Sequence, residues 1–93
     1  MISIVEAKHI EDFRIQLLFE ISDYTANTKE RVQKIADLKG YLMAKKDTGV
    51  FAPLKNIDFF KNFKLNANTI EWENGADIAP ERIYEISAKE RIS

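Results

Sequence analysis

The sequence predicts an α+β fold: one small domain with an antiparallel sheet of three to five strands and two or three short helices. The length of 93 residues allows a single domain over residues 1–93 and makes two domains improbable. Apolar side chains alternate along the first quarter of the chain, as in strands, whereas turn and helix-capping residues divide the second half into short elements. An apolar fraction of 45%, with six Phe, three Tyr and one Trp, indicates a folded core rather than a disordered chain.

Two strands are predicted in the N-terminal part of the chain. Ile2–Ile10 is rich in Ile and Val and reads as a first strand, and Glu11-Asp12 forms a polar break. In Phe13–Ile21 apolar and polar residues alternate, which predicts a strand with one face on a core and one face in solvent. Leu18 is the only apolar residue on the solvent face. The two strands are expected to form an antiparallel hairpin.

The next segment allows two interpretations. Ser22–Thr28 has the composition of a loop. Apolar residues at near-helical spacing favour a helix over Lys29–Lys46, but Gly40 in its middle would cost about 1 kcal/mol relative to Ala. A strand over Arg31–Ala36 followed by a short helix over Leu38–Ala44 accounts for the same residues. The local pattern does not decide between them.

The second half of the chain is predicted to form short elements separated by turns. Pro53 breaks any helix after the Lys-rich segment, and Asn56 or Asp58 can cap a single helical turn. Phe63–Trp72 reads as a hairpin that turns at the Asn-Ala-Asn tripeptide 66–68, where Asn tolerates a positive φ. Asn-Gly at 74–75 is a turn dipeptide, and Pro80 suits the first position of a last helix.

Two strings in this half carry a recognisable pattern: GVFAPL at Gly49–Leu54 and IEWENGADIAPERIY at Ile70–Tyr84. The pattern resembles a small bacterial family known as domain-of-unknown-function family 2442. The similarity runs from Asp37 to Ile86 and includes Phe13–Phe19, so it covers nearly the whole chain. The motif positions, which we expect to be mainly structural, are Gly49, Phe51, Leu54, Phe60, Trp72, Asn74, Gly75, Asp77, Pro80, Ile83 and Tyr84.

The resemblance adds expectations about structure and role. It implies a third strand at about Arg31–Ala36 that leads into the short helix. Family members usually make a tight Asp-Gly turn before this strand, whereas this chain has a longer loop without Gly at Ile21–Lys29. Some relatives carry the domain ahead of a helix-turn-helix domain, and some stand-alone copies are encoded beside another small protein. The chain is therefore expected to be a stand-alone member with a regulatory or antitoxin-like role.

The charged residues are unevenly distributed, although the formal net charge is only −1. Residues 24–64 carry nine basic and four acidic side chains, and both flanking segments are net acidic. A basic segment attracts anionic partners, so nucleic-acid binding with a steep salt dependence is the alternative function. The interspersed carboxylates favour a solvated surface instead, which makes nucleic acid the weaker expectation. The candidate nucleic-acid contacts are Lys29, Arg31, Lys34, Lys39, Lys45 and Lys46.

The sequence offers no recognisable catalytic, cofactor-binding or metal-binding set. The absence of Cys excludes disulfides, thiolate catalysis and Cys-based zinc sites. His9 is the only histidine and cannot form a two-His metal site. Glu71, Glu73 and Asp77 surround one turn, but we interpret them as solvated or capping residues. No phosphate loop, dinucleotide fingerprint or EF-hand spacing occurs, so we expect neither an enzyme nor a cofactor.

The expected cellular location follows from the absence of a signal peptide and of a membrane-spanning segment in the sequence. No basic region precedes an apolar stretch at the N-terminus, and no apolar run approaches the roughly 18–20 residues that span a bilayer. A cytoplasmic protein with no membrane contact is expected.

A non-enzymatic module that binds another protein is the first functional hypothesis, and a homodimer through an open sheet edge is possible. Trp72 is expected in the core. Four phenylalanines lie close together in the sequence and cannot all be interior in so small a domain, so some should form an apolar contact patch. The candidate partner surface is Phe51, Phe59, Phe60 and Phe63.

Overall fold

A computed structural model describes residues 1–89 of the chain, and it confirms the predicted α+β fold. The strands fall into a larger and a smaller antiparallel sheet, and the described residues include three short helices and one 3₁₀ turn. None of these helices is long and apolar enough to cross a bilayer. In chain order the elements are β1 (Ile2–Glu11), β2 (Arg14–Asp23), β3 (Thr28–Asp37), α1 (Lys39–Met43), the 3₁₀ turn (Ala52–Lys55), α2 (Ile57–Phe60), β4 (Lys64–Asn66), β5 (Thr69–Glu71), α3 (Pro80–Ile86) and β6 (Ala88–Lys89).

The larger sheet has the strand order β1-β2-β3-β6, and all its neighbouring strands are antiparallel. The predicted alternation in β2 is confirmed, because Ile15, Leu17 and Phe19 are buried. The pairing of β1 with β2 contains a β-bulge: Ile4 lies opposite Phe19, whereas Glu6 lies opposite Leu18. Such a bulge bends the strand and increases its local twist.

The segment after β2 forms a strand and a short helix, so the single long helix over Lys29–Lys46 is wrong. Every residue of β3 pairs with β2 in an unbroken register. Strand pairing outweighs the helical spacing because pairing with β2 places Ala36 beside Ile15 in the core, a tertiary contact that the local sequence does not reveal. The predicted loop is also too long. Asp23 pairs with Thr28, only four residues separate the strands, and Asn27 takes the left-handed conformation with φ of 51°.

The elements of the second half follow the predicted turns. One of the two predicted capping residues is confirmed, and one residue role in a turn differs. Asn56 rather than Asp58 caps α2, since the Asn56 side-chain oxygen accepts a hydrogen bond of 2.9 Å from the Asp58 backbone N–H. β4 and β5 form the predicted hairpin, but the positive φ of 56° is on Ala67 and not on an Asn. The helix that begins at Pro80 is confirmed.

The core lies on one face of the larger sheet and includes Trp72. The Trp72 side chain is fully buried, and its indole Nε1 donates a hydrogen bond of 2.7 Å to the Phe60 carbonyl oxygen. No polar or charged side chain is buried among the described residues. The buried residues are Ile4, Phe13, Ile15, Leu17, Phe19, Ala36, Leu38, Leu42, Leu54, Phe60, Ile70, Trp72, Ala76, Ile78 and Ile83.

The opposite face of the sheet, called here the outer face, takes no part in this core. Because side chains alternate across a strand, the residues between the core positions of β2 and β3 lie on it. Five of its central residues are Val5, Gln16, Leu18, Gln33 and Ile35, and none of them belongs to the core cluster.

Candidate interaction surfaces

The four phenylalanines proposed as a partner surface are placed differently from one another. Phe60 is fully buried, with its ring centroid 5.1 Å from that of Phe13 and 5.6 Å from that of Trp72, so it is not available to a partner. Phe51, Phe59 and Phe63 are half-buried and pack against the core. These three therefore offer only their outer edges to a partner.

Phe59 opens onto a groove of about 450 Å³ beside α2. The carboxylates of Asp58 and Glu73 and the amides of Asn56 and Asn62 also line the groove. The Asp58 carboxylate lies 3.5 Å from the Lys61 ammonium, which leaves Glu73 as the carboxylate of the groove without an ion pair among residues 1–89. An open, mixed polar and aromatic groove of this kind lacks the enclosure that excludes water from a reaction centre.

The six candidate nucleic-acid contacts do not lie together on one surface. Lys29 and Arg31 project from the same face of β3, and the Arg31 Nε lies 3.3 Å from the Glu20 carboxylate. Lys34 projects from the other face, with its ammonium 3.6 Å from the centroid of the Tyr84 ring. Lys39 follows the end of the strand, roughly 30 Å from Lys29 at the usual rise per residue of a strand.

The remaining two, Lys45 and Lys46, follow α1, where Lys45 lies over the ring of Tyr41. The basic segment is therefore divided between the two faces and the two ends of β3.

The outer face carries several partly exposed aliphatic residues. Val5, Leu18 and Ile35 are each half-buried, and Leu65 of β4, with 44% of its surface exposed, lies near Val5 and Leu18. Val5, Leu18 and Leu65 line a depression of about 400 Å³ at the bulge in β1, together with polar side chains. Alternation along β2 already placed Leu18 on the solvent face. Val5 lies in the depression because of the bulge, which has no sequence signal. Leu65 reaches the depression because the β4–β5 hairpin packs beside β1.

The edge of β3 is only partly covered by the described residues. Lys34 and Ile35 pair with Lys89 and Ala88 of β6, and no other pairing to this edge occurs within residues 1–89.

The family-motif residues tie the turns of the second half together. Gly49 and Gly75 have φ of 94° and 86°, a region that favours glycine. The Asn74 side chain donates to the Val50 carbonyl oxygen at 2.9 Å and accepts from the Ala76 backbone N–H at 3.1 Å, so it joins the two turns. Of the remaining motif positions, Leu54, Trp72 and Ile83 are buried, Pro80 begins α3, Tyr84 packs its ring edge-on against Phe19, and Asp77 is exposed.

The residues weighed for catalysis do not converge. His9 Nε2 lies 2.8 Å from the Asp12 carbonyl oxygen, where the ring nitrogen donates, and its ring packs edge-on against Phe60. Glu71 and Asp77 form a backbone bridge, whereas Glu73 faces the Phe59 groove. No group of three His, Cys, Asp or Glu within residues 1–89 is arranged to hold a metal ion.

Two exposed carboxylates have a pKa below the ordinary value of 3.8. The ammonium of Lys55, 2.6 Å away, donates a hydrogen bond that lowers the pKa of Asp47. Hydrogen bonds from Thr25, followed by one from the Ala26 backbone N–H, lower the pKa of Asp23. Both groups order loops, and neither faces a cavity described above.

Comparison with known proteins adds a family but no activity. A family model described as "Protein of unknown function (DUF2442)" matches residues 32–89. No curated protein and no solved structure matches the chain.

Proposed function

Since the chain belongs to the family described as "Protein of unknown function (DUF2442)", a description without an activity, we propose a function from the geometry. The protein is a non-enzymatic interaction module that binds another protein through the outer face of its larger sheet. An antitoxin-like or regulatory role in the cytoplasm is part of this proposal, as the resemblance to stand-alone relatives implies.

The observation that carries the proposal is the set of aliphatic side chains on a sheet face outside the core. Val5, Leu18 and Leu65 border one depression, and Ile35 lies on the same face. The Gln16 and Gln33 amides and the charged Glu6 and Lys8 line or border the same depression. An aliphatic centre with a polar rim is the usual composition of a protein–protein contact.

The charges around the outer face favour a protein over a nucleic acid. Glu6 and Lys8 have opposite signs, and Arg31 is paired with Glu20 on the same face. A nucleic-acid surface needs uncompensated Lys and Arg side chains to replace the counterions of the phosphates. The outer face offers alternating charges instead, which suit a partner with mixed polar side chains.

The partner is a different protein rather than a second copy paired through the edge of β3. When two antiparallel strands pair in one sheet, residues directly opposite each other project to the same side of the sheet. If two copies of β3 pair in this way, the symmetry axis must pass through one residue, which then lies opposite its own copy. Centred on Glu30, it places Glu30 opposite Glu30 and Lys29 opposite Arg31. Centred on Arg31, it places two arginines opposite each other. Like charges directly opposite destabilise a strand pair, so these two registers disfavour a homodimer.

Co-purification tests the proposal. The tagged chain is co-expressed with the products of its adjacent genes and compared with Leu18→Glu, which places a carboxylate in the centre of the outer face. Tyr24→Glu is the matched control, because Tyr24 is 83% exposed in the β2–β3 loop and the substitution adds the same charge. We expect the wild type and Tyr24→Glu to retain a partner. The amount of partner that co-purifies with Leu18→Glu should be at least about tenfold lower.

Three outcomes would contradict the proposal. The first is that no adjacent product is retained, and the second is that Leu18→Glu and Tyr24→Glu retain it equally. The third is a light-scattering mass of twice 10.8 kDa for the isolated chain that Leu18→Glu returns to the monomer, since the outer face would then bind a second copy.

A further inference from the structure

A separate depression lies between α1 and α3. Its volume is about 480 Å³, and Tyr41 and Lys45 line it from the α1 side, whereas Arg82 and Ile86 line it from α3. The outer-face residues do not contribute to it. It brings an aromatic ring, two cations and an aliphatic side chain to one surface.

The two cations share one aromatic ring. The Lys45 ammonium lies 4.6 Å from the centroid of the Tyr41 ring, and the Arg82 guanidinium carbon lies 5.7 Å from it. Lys45 also lies 5.3 Å from the centroid of Phe51, whose ring packs edge-on against Tyr41 at 6.2 Å. The rings hold Lys45 half-buried at the wall of the depression.

The charge of Lys45 is not neutralised within the described part of the chain. Arg82 donates to the Glu85 carboxylate at 3.0 Å, but Lys45 has no ion pair there. Asp37 also lines the depression, and its carboxylate accepts a hydrogen bond of 3.0 Å from the Lys39 backbone N–H. A half-buried ammonium without an ion pair is a position where a ligand carboxylate gains a charge-assisted contact.

We propose that this depression binds an acidic peptide segment of the partner protein. A Glu or Asp side chain of the segment contacts the Lys45 ammonium, and a neighbouring apolar side chain packs on Tyr41 and Ile86. This inference rests on the proposed function, since it names a second contact region and the chemistry of the segment that enters it.

The surrounding carboxylates favour a peptide over a nucleic acid. Asp37, Glu81 and Glu85 lie in or next to the elements that form the depression. A single ligand carboxylate needs contact with only one cation, Lys45. A nucleic-acid strand carries a charge at every phosphate and would have to pass them. The local charge therefore suits one or two acidic side chains and not a polyanion.

Peptide titration followed by two-dimensional ¹H–¹⁵N NMR of the full chain tests the inference. The probe is acetyl-Glu-Leu-Glu-Leu-amide, with acetyl-Lys-Leu-Lys-Leu-amide and a twelve-residue oligothymidylate as comparisons. We expect the acidic peptide alone to shift the amide signals of Tyr41, Ala44 and Lys45 and of Arg82. Shifts of the same signals by the basic peptide, or tighter binding of the oligothymidylate, would overturn the proposal.

A pair of lysine substitutions makes the test specific to this site. Lys45→Met removes the ammonium over Tyr41, whereas Lys46→Met removes the same charge from the exposed neighbouring position. We expect Lys45→Met to weaken peptide binding by about tenfold and Lys46→Met to weaken it by less than about twofold. Equal losses would show general attraction to a basic surface and would overturn the site. Circular dichroism of both variants checks that they fold.

The outer face provides the means to separate the two proposals. Leu18→Glu should leave binding of the acidic peptide unchanged, because Leu18 lies outside this depression. If the peptide does not bind but Leu18→Glu still loses its protein partner, the peptide site is wrong and the proposed interaction module is supported. Peptide binding without any retained protein partner would instead contradict the proposed function.

Discussion

At the scale of single residues, Trp72 is held against α2 and the residues after it through both packing and a hydrogen bond. Its ring centroid lies 5.6 Å from Phe60 and 6.2 Å from Phe63, and its indole donates to the Phe60 carbonyl oxygen at 2.7 Å. The geometry explains why an aromatic residue with a donor stands at this motif position. A purely apolar ring would fill much of the space but leave that buried oxygen without its partner.

Trp72→Phe should therefore destabilise the protein. The substitution removes the donor and leaves a cavity where the larger ring was, so we expect the free energy of unfolding to fall by about 2–4 kcal/mol. Urea unfolding followed by far-ultraviolet circular dichroism measures it, since the variant lacks Trp fluorescence. Tyr24→Phe, at an exposed loop position, should change stability by less than about 0.5 kcal/mol. A loss below that limit for Trp72→Phe would contradict the assigned role.

The Asp47–Lys55 pair gives a pH-dependent prediction at the same scale. Lys55 lowers the pKa of Asp47, and its ammonium also donates to the Lys45 carbonyl oxygen at 2.7 Å. Because the folded pKa lies below the ordinary value of 3.8, the pair contributes stability above that value. The contribution is lost as the pH falls through the lowered, folded pKa.

Lys55→Met should return the pKa of Asp47 toward its ordinary value, since the hydrogen bond that stabilises the carboxylate is gone. Titration of the side-chain carboxyl signals by ¹³C NMR measures the change. The pKa of Asp23 should stay the same. Its pKa is lowered by hydrogen bonds from Thr25 and Ala26, which lie far from Lys55 in the sequence. An unchanged pKa of Asp47 in the variant would show that Lys55 is not its cause.

At the scale of secondary structure elements, identical glycine substitutions should have opposite effects. A Cβ added at Gly75 or at Gly40 meets no atom within 4 Å, so neither substitution creates a clash. Gly75 has a φ of 86°, which is strained for Ala, and Gly75→Ala should cost about 1–2 kcal/mol. Gly40 lies in α1, where Ala is the better helix former, and Gly40→Ala should stabilise by up to about 1 kcal/mol. Thermal unfolding of both variants measures the difference, and effects of the same sign would contradict this account.

The elements also show which parts of the fold the sequence can predict. β2 was predictable because its buried and exposed residues alternate, and Asn56, Pro80 and the Asn-Gly turn carry local signals that the structure repeats. The local pattern did not decide β3, because Val32 and Ile35 fit a helical spacing as well as a strand. The family resemblance predicted the strand, and its pairing with β2 confirms it. The bulge in β1 likewise depends on two strands and has no signal in either one.

At the scale of the whole molecule, the candidate surfaces were harder to predict than the elements. The sequence identified a group of aromatic residues, but Phe60 is interior because α2 turns it toward Trp72. It identified a basic segment, but β3 alternates Arg31 and Lys34 between faces. Leu18 was the one outer-face residue with a sequence signal. Which residues lie next to Leu18 on this face depends on strand register and hairpin packing, and both bring together positions far apart in the chain.

The most direct test of the central claim is cross-saturation NMR of the chain bound to its protein partner. The chain carries ¹³C-labelled methyl groups in a deuterated background, and the partner is protonated and irradiated. We predict that the methyl signals of Val5, Leu18, Ile35 and Leu65 lose intensity, whereas those of the buried Leu42 and Leu54 do not. Full intensity at the outer-face methyl groups, with the loss confined to other residues, would contradict the claim that this face binds the partner.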